Sequence, residues 1–140
     1  MKQIRTIFFV LMTCLTAVMC KKDSTTTIVT DWNLVNDSVN SSIGIAWQHS
    51  NYKGMNSDFF NFSANGKLYF KEGATYDSCN YNVLDGNKII LESFSLKENG
   101  AFVPSTISVL TATTATIIIS TDGMQNPGGS YERIINLSRH

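Results

Sequence analysis

An all-β fold, an antiparallel up-and-down barrel of eight or nine short strands, is what this 140-residue sequence predicts. Three observations carry that expectation. From Asp31 onward the chain is rich in Ile, Val, Thr, Phe and Tyr, which suit a pleated surface, and it shows no sustained helical period. Short apolar runs are separated by Gly, Asn and Asp at turn positions. Pro104 is the one interior proline before the C-terminal loop, so little else interrupts a ladder of backbone hydrogen bonds.

The elements begin with a segment outside the barrel. Lys2 and Arg5 are followed by an apolar run from Ile7 to Met19, the charge-then-apolar order of an export signal. An apolar helix of roughly 16 residues at ~1.5 Å each reaches only ~24 Å, short of the ~30 Å hydrocarbon core, so a spanning helix is the weaker reading. The residues Leu15-Thr16-Ala17-Val18-Met19-Cys20 resemble the lipobox of bacterial lipoproteins, with Met19 where a small residue is usual and Ala17 where Leu is usual. That resemblance implies a signal peptide over residues 1–19, cut before Cys20, and a lipid on the Cys20 thiol. The alternative is an ordinary cleaved signal that releases a soluble protein. Cys20-Lys21-Lys22-Asp23-Ser24 is similar to the start of many lipoproteins of Bacteroidetes. It implies an outer-membrane, lipid-anchored protein, periplasmic or surface-exposed. Two or three acyl chains at ~0.8 kcal/mol per buried methylene would hold it there almost permanently.

Residues 20–29 read as the lipidated tether, since Ser24-Thr25-Thr26-Thr27 is polar and low in complexity. Residues 30–140 read as the barrel domain. Loss of Lys2 and Arg5 with the signal leaves 9 basic against 11 acidic side chains, too near neutral for a nucleic-acid partner. About 120 residues suit one core and no second domain. Of three cysteines only Cys79 remains in the folded part, so no intramolecular disulfide is expected.

Strands are expected around Trp32 to Val35 and around Ile43 to Trp47. The run Phe59 to Lys71 is a hairpin whose register follows from its faces. With Ala64-Asn65 as a type I turn and Gly66 as a left-handed bulge, Phe62 pairs with Leu68 and Phe60 with Phe70, giving one wholly apolar face. The same grammar applied to Cys79 to Glu92, with Gly86 as the bulge, sets Tyr81 opposite Ile89 and Cys79 opposite Leu91. Tyr81, Val83, Ile89 and Leu91 then face inward. Further strands are expected around Ser105 to Leu110, Thr116 to Ser120 and Tyr131 to Ser138.

The order Trp32-Asn33-Leu34, Asp58 to Lys67, Tyr81 to Ile89, Ile107 with Leu110, and Glu132 to Arg139 is similar to the lipocalin-like lipoproteins of Bacteroidetes. It spans nearly the whole mature chain, although Thr30 stands where a Gly is usual two residues before the Trp. The resemblance implies a lipocalin-like barrel in which Trp32 packs under Arg139 and closes one end, a favourable cation–π contact. It also implies binding of a small hydrophobic or amphipathic ligand without chemistry, inside a cavity lined by Phe60, Phe62, Phe70 and Tyr81. In barrels of about eight strands the same side chains suffice to fill the interior. The alternative is then a surface accessory or inhibitor lipoprotein that acts by protein contact, through Met55 and the Gly128-Gly129 region.

Other candidates are bland. His49 and His140 lie far apart without acidic neighbours at ligand spacing, so no metal or other cofactor is expected. Cys79 reads as a buried inert thiol, and Glu72 and Asp77 around Gly73 as solvated carboxylates. No Gly-x-Ser-x-Gly elbow or phosphate loop is present, so the protein is not expected to be an enzyme. The loop Asp122 to Gly129 reads as a turn, or as a segment that shapes a barrel mouth or meets a partner.

Overall fold

The computed structural model of the chain describes residues 27–43, 46–122, 124 and 128–139. Among them are eleven strands and no helix: β1 (Asp31–Ile43), β2 (Ala46–Lys53), β3 (Phe59–Phe62), β4 (Lys67–Glu72), β5 (Thr75–Leu84), β6 (Lys88–Leu91), β7 (Lys97–Glu98), β8 (Ala101–Phe102), β9 (Ser105–Leu110), β10 (Thr114–Ser120) and β11 (Ser130–Ser138). Eight of them, β1, β3, β4, β5, β6, β9, β10 and β11, pair antiparallel in chain order and close through β11 on β1. β2 is an extra strand along β1, and β7 with β8 form a short ribbon in the β6–β9 connection. This is the antiparallel up-and-down barrel that the sequence predicts.

The β3–β4 register is the one chosen by burial, with Phe60 opposite Phe70 and Phe62 opposite Leu68. Gly66 takes φ +80° and its N–H donates to Ser63 O at 3.1 Å, closing the turn. The β5–β6 register differs by two residues from the expected one. Tyr81 lies opposite Leu91 and Val83 opposite Ile89, while Cys79 faces Leu68 across the other edge of β5. The turn is the cause: Asn87 joins Gly86 in the left-handed region, at φ +59° and +70°, so the loop is Asp85-Gly86-Asn87 and Leu84 pairs with Lys88. A shift of two preserves the faces. Val83 nevertheless stays 46% exposed, because it lies at the barrel end rather than in the inward set.

The single strand expected around Ile43 to Trp47 is instead the end of one strand and the start of another, for Ile43 and Ala46 are antiparallel partners. One edge of β1 carries β11, and the other is shared, β3 taking Asp31–Asn33 and β2 taking Asn36–Ile43. At the handover Leu34 N–H donates to Asp58 O at 3.1 Å and Gly54 N–H to Val35 O at 2.9 Å. A Cβ at Gly54 would sit 1.9 Å from Leu34 O, so the crossing requires glycine.

The interior is one apolar cluster that runs from Ile28 and Trp32 through Phe60, Phe62, Leu68 and Leu91 to Ile117, Ile119 and Ile135. Phe94 joins it from the β6–β9 connection. The N–H groups of Phe94 and Ser95 both donate to Leu91 O, at 2.9 and 2.6 Å, which turns the Phe94 ring inward against Phe70 and Phe60 at 4.7 and 5.8 Å. Ile28, 2% exposed, is packed into this cluster.

Candidate functional site

The barrel has two unlike ends. At the first, Trp32 Nε1 donates to Ile28 O at 2.8 Å, and Arg139 lies over the indole with its Cζ 4.1 Å from the ring centroid. Arg139 also donates to Thr27 O at 2.9 Å and to Ala112 O at 3.3 Å. These contacts tie both ends of the described chain into one seal.

Above the seal, Phe60, Phe62 and Phe70 are buried against one another, with centroids 5.6 Å apart for Phe60 and Phe70 and 6.5 Å for Phe60 and Phe62. Tyr81 sets its ring edge-on to Phe62 at 5.2 Å and donates its hydroxyl to Ser63 O at 2.7 Å; burial pushes that phenol's pKa up. The four aromatic side chains that the sequence assigns to a ligand cavity thus form one packed chain of rings, Tyr81 on Phe62, Phe62 on Phe60 and Phe60 on Phe70, with Phe94 against Phe60 and Phe70. None of the four lines the mouth cleft or the rim groove described below.

A layer of charge caps this aromatic core. Arg133 reaches inward from β11 to both oxygens of Asp37 on β1, and to Glu72 at the end of β4 at 3.4 Å, with its Cζ 4.5 Å from the Phe94 ring. Burial works against the Arg133 cation, yet Asp37, by hydrogen bond and by charge, and Glu72 raise its pKa above the ordinary value. Glu72 is also raised, by burial first and then by the Asp37 charge, which together outweigh the lowering effect of Arg133. Beside it Asp58, fully buried, accepts from Tyr52 Oη at 2.5 Å, Met55 N at 2.8 Å and Gly73 N at 3.2 Å. Burial alone would raise this carboxyl; the three donors and Lys71 overcome it and hold it below the usual range. The same bond to Asp58, then burial, pushes the Tyr52 phenol up to about 12.

Beyond the charge layer the second end is open. A cleft of about 550 Å³ is walled by Leu96, Met124 and Tyr131, with hydroxyls from Ser41, Ser42, Thr121 and Ser130, the Gly128-Gly129 backbone and one charged group, Lys97. Lys97 sits 4.5 Å from the Phe102 ring in the β7–β8 ribbon. Met124, Gly128 and Gly129 come from the loop that the sequence marks as a mouth-shaping segment. Leu96 and Lys97 carried no such signal, since they lie in a connection between strands.

Cys20, residues 1–19 and His140 lie outside the described residues. His49 is exposed on β2 and hydrogen-bonds Asn40, Cys79 is a buried free thiol, and Met55 is exposed. Glu72 turns to Arg133 instead of solvent, while Asp77 is exposed and accepts from Ser78 N at 2.7 Å. Among the described residues no three His, Cys, Asp or Glu side chains gather as metal ligands.

Fold and site together define a small antiparallel β-barrel with a packed interior, a cleft of about 550 Å³ beyond the charge layer and, at the Trp32 end, a second of about 390 Å³ between Ile28, Val83 and Leu110. Compared with known proteins, the chain matches no family model, no curated protein and no solved structure.

Proposed function

We propose that the chain is an outer-membrane lipoprotein of lipocalin-like type, held by a lipid on Cys20, that binds a small hydrophobic or amphipathic ligand without catalysing a reaction. The observation that carries the reading is the mouth cleft. Its volume of about 550 Å³ lies within the ~300–1,000 Å³ of small-molecule sites. Its Leu96, Met124 and Tyr131 wall suits an apolar body, and its four hydroxyls suit a polar end. On this reading the ligand sits at the mouth, above the Phe60, Phe62, Phe70 and Tyr81 cluster.

A second reading is contact with a protein partner, as an accessory or inhibitor lipoprotein. The packed aromatic interior favours it, because Phe94 and the charge layer leave the barrel centre filled.

Native mass spectrometry of the full chain, purified from a bacterial envelope, tests the choice. A bound small mass that is lost on denaturation supports the ligand reading. A clean mass that stays unchanged after incubation with lipids and apolar metabolites overturns it in favour of the protein partner. The same spectrum reports the lipid on Cys20 as a covalent mass that survives denaturation.

A further inference from the structure

Trp47 is 73% exposed near the start of β2, where it pairs with Ser42. A lone exposed indole is ordinary on a protein surface; what sets Trp47 apart is the polar groove beside it. It borders a shallow groove of about 270 Å³ on the outer rim of the mouth, together with Asn40, Ser120, Asp122, Tyr131 and Glu132.

The ladder explains the grouping. Glu132 of β11 lies between Asn40 of β1 and Ser120 of β10, so a carboxylate, an amide and a hydroxyl stand side by side at the ~4.8 Å spacing of neighbouring strands. Trp47 is level with Ser42, two residues along β1 from Asn40, and therefore shares the face of that row. The result is a flat ring beside a row of acceptors and donors.

We propose that this rim is a binding site for a neutral saccharide, with Trp47 as the stacking platform and Asn40, Asp122 and Glu132 as hydrogen-bonding partners for ring hydroxyls. A sugar ring offers an apolar C–H face and a perimeter of groups that both donate and accept. An aromatic plane next to carboxylates and an amide matches both features. Other classes fit less well. Among the described lining residues two carboxylates and no Lys or Arg meet an anion, with His49 set back against Asn40, and the polar row offers an alkyl chain no burial. The groove lies below the ~300 Å³ lower end of drug-sized sites, which suits one or two sugar rings. It shares Thr121, Ser130 and Tyr131 with the mouth cleft but has its own platform.

Titration of the full-length protein with cellotriose, xylotriose, maltotriose and chitotriose, with trigalacturonic acid as the anionic control, tests the site by tryptophan fluorescence and calorimetry. Trp32 is buried, so a change in emission reports Trp47. The expected result is a saturable blue shift with at least one neutral trisaccharide and none with the anion. Trp47→Ala and Glu132→Gln should each weaken calorimetric binding about tenfold, the loss of one stacking or charge-assisted contact. A neutral naphthylamine dye used as the probe of the mouth cleft should still bind Trp47→Ala, which separates failure of this site from failure of the mouth. No saturable response to any neutral trisaccharide, a preference for the anion, or unchanged affinity in both variants would overturn the proposal.

Discussion

Arg133 of β11 grips Asp37 of β1 inside the barrel, with Nε 3.0 and 2.9 Å from the two carboxylate oxygens and Nη2 2.5 Å from one of them. The two residues are 96 positions apart, and their pairing joins the first and last strands where the barrel closes. An apolar floor lies beneath, formed by the Phe94 ring under the guanidinium.

Removing one partner should cost far more than removing both. Arg133→Ala leaves Asp37 buried and uncompensated, a loss of about 3–5 kcal/mol, whereas Asp37→Leu with Arg133→Met should restore most of it. Urea denaturation of the four proteins of this double-mutant cycle checks both. Equal losses in the single and double variants would contradict the pairing.

Stability should show two limbs with pH, the acid one carried by Asp58 and the alkaline one by Tyr52, to which Tyr81 adds because burial raises its phenol as well. The Asp58 carboxyl is depressed in the folded state, so its contribution is complete above the ordinary value of 3.8 and is lost as the pH falls through the lower folded value. The Tyr52 phenol is raised from 10.0 to about 12, so its contribution is complete below 10.0 and is lost as the pH rises toward 12. Tyr52→Phe should diminish the alkaline limb to the part Tyr81 contributes, and Asp58→Asn should diminish both limbs. Thermal melts across the two windows measure this directly.

Gly54 should resist substitution where Gly128 does not. A methyl group at Gly54 meets Leu34 O at 1.9 Å and forces β1 and the β2–β3 crossing apart, an overpacking cost of about 3 kcal/mol. Nothing lies within 4 Å of a Cβ at Gly128, so Gly128→Ala should change stability by less than about 0.5 kcal/mol.

The interior should behave as a packed core. Phe60→Ala should cost about 3–5 kcal/mol by leaving a cavity among Phe62, Phe70 and Phe94. A small change, with a gain in binding of apolar dyes, would mark the interior as open instead.

What the sequence revealed follows from how local each signal is. The β3–β4 hairpin was legible because Asn65-Gly66 flanked by Phe60, Phe62, Leu68 and Phe70 leaves only one register with an apolar face. The β5–β6 hairpin slipped by two because the turn chemistry of Asp85-Gly86-Asn87 admits either Gly86 alone or Gly86 with Asn87 in the left-handed region. Only the start of β2 is legible, in the strand expected up to Trp47, because Gln48 to Asn51 are polar and exposed on both sides and leave no alternation to read. Phe94 sits in a connection, where apolar residues carry no period. The charge layer joins Asp37, Glu72 and Arg133 from three distant strands, and each of them alone resembles a solvated side chain.

The most direct test of the account is where an apolar probe binds. A neutral naphthylamine dye titrated against the wild-type protein, Met124→Arg and Phe60→Leu separates the mouth from the interior. The account predicts saturable dye binding that Met124→Arg abolishes and Phe60→Leu leaves intact. Binding that survives Met124→Arg and disappears with Phe60→Leu would contradict it and place the ligand in the barrel core.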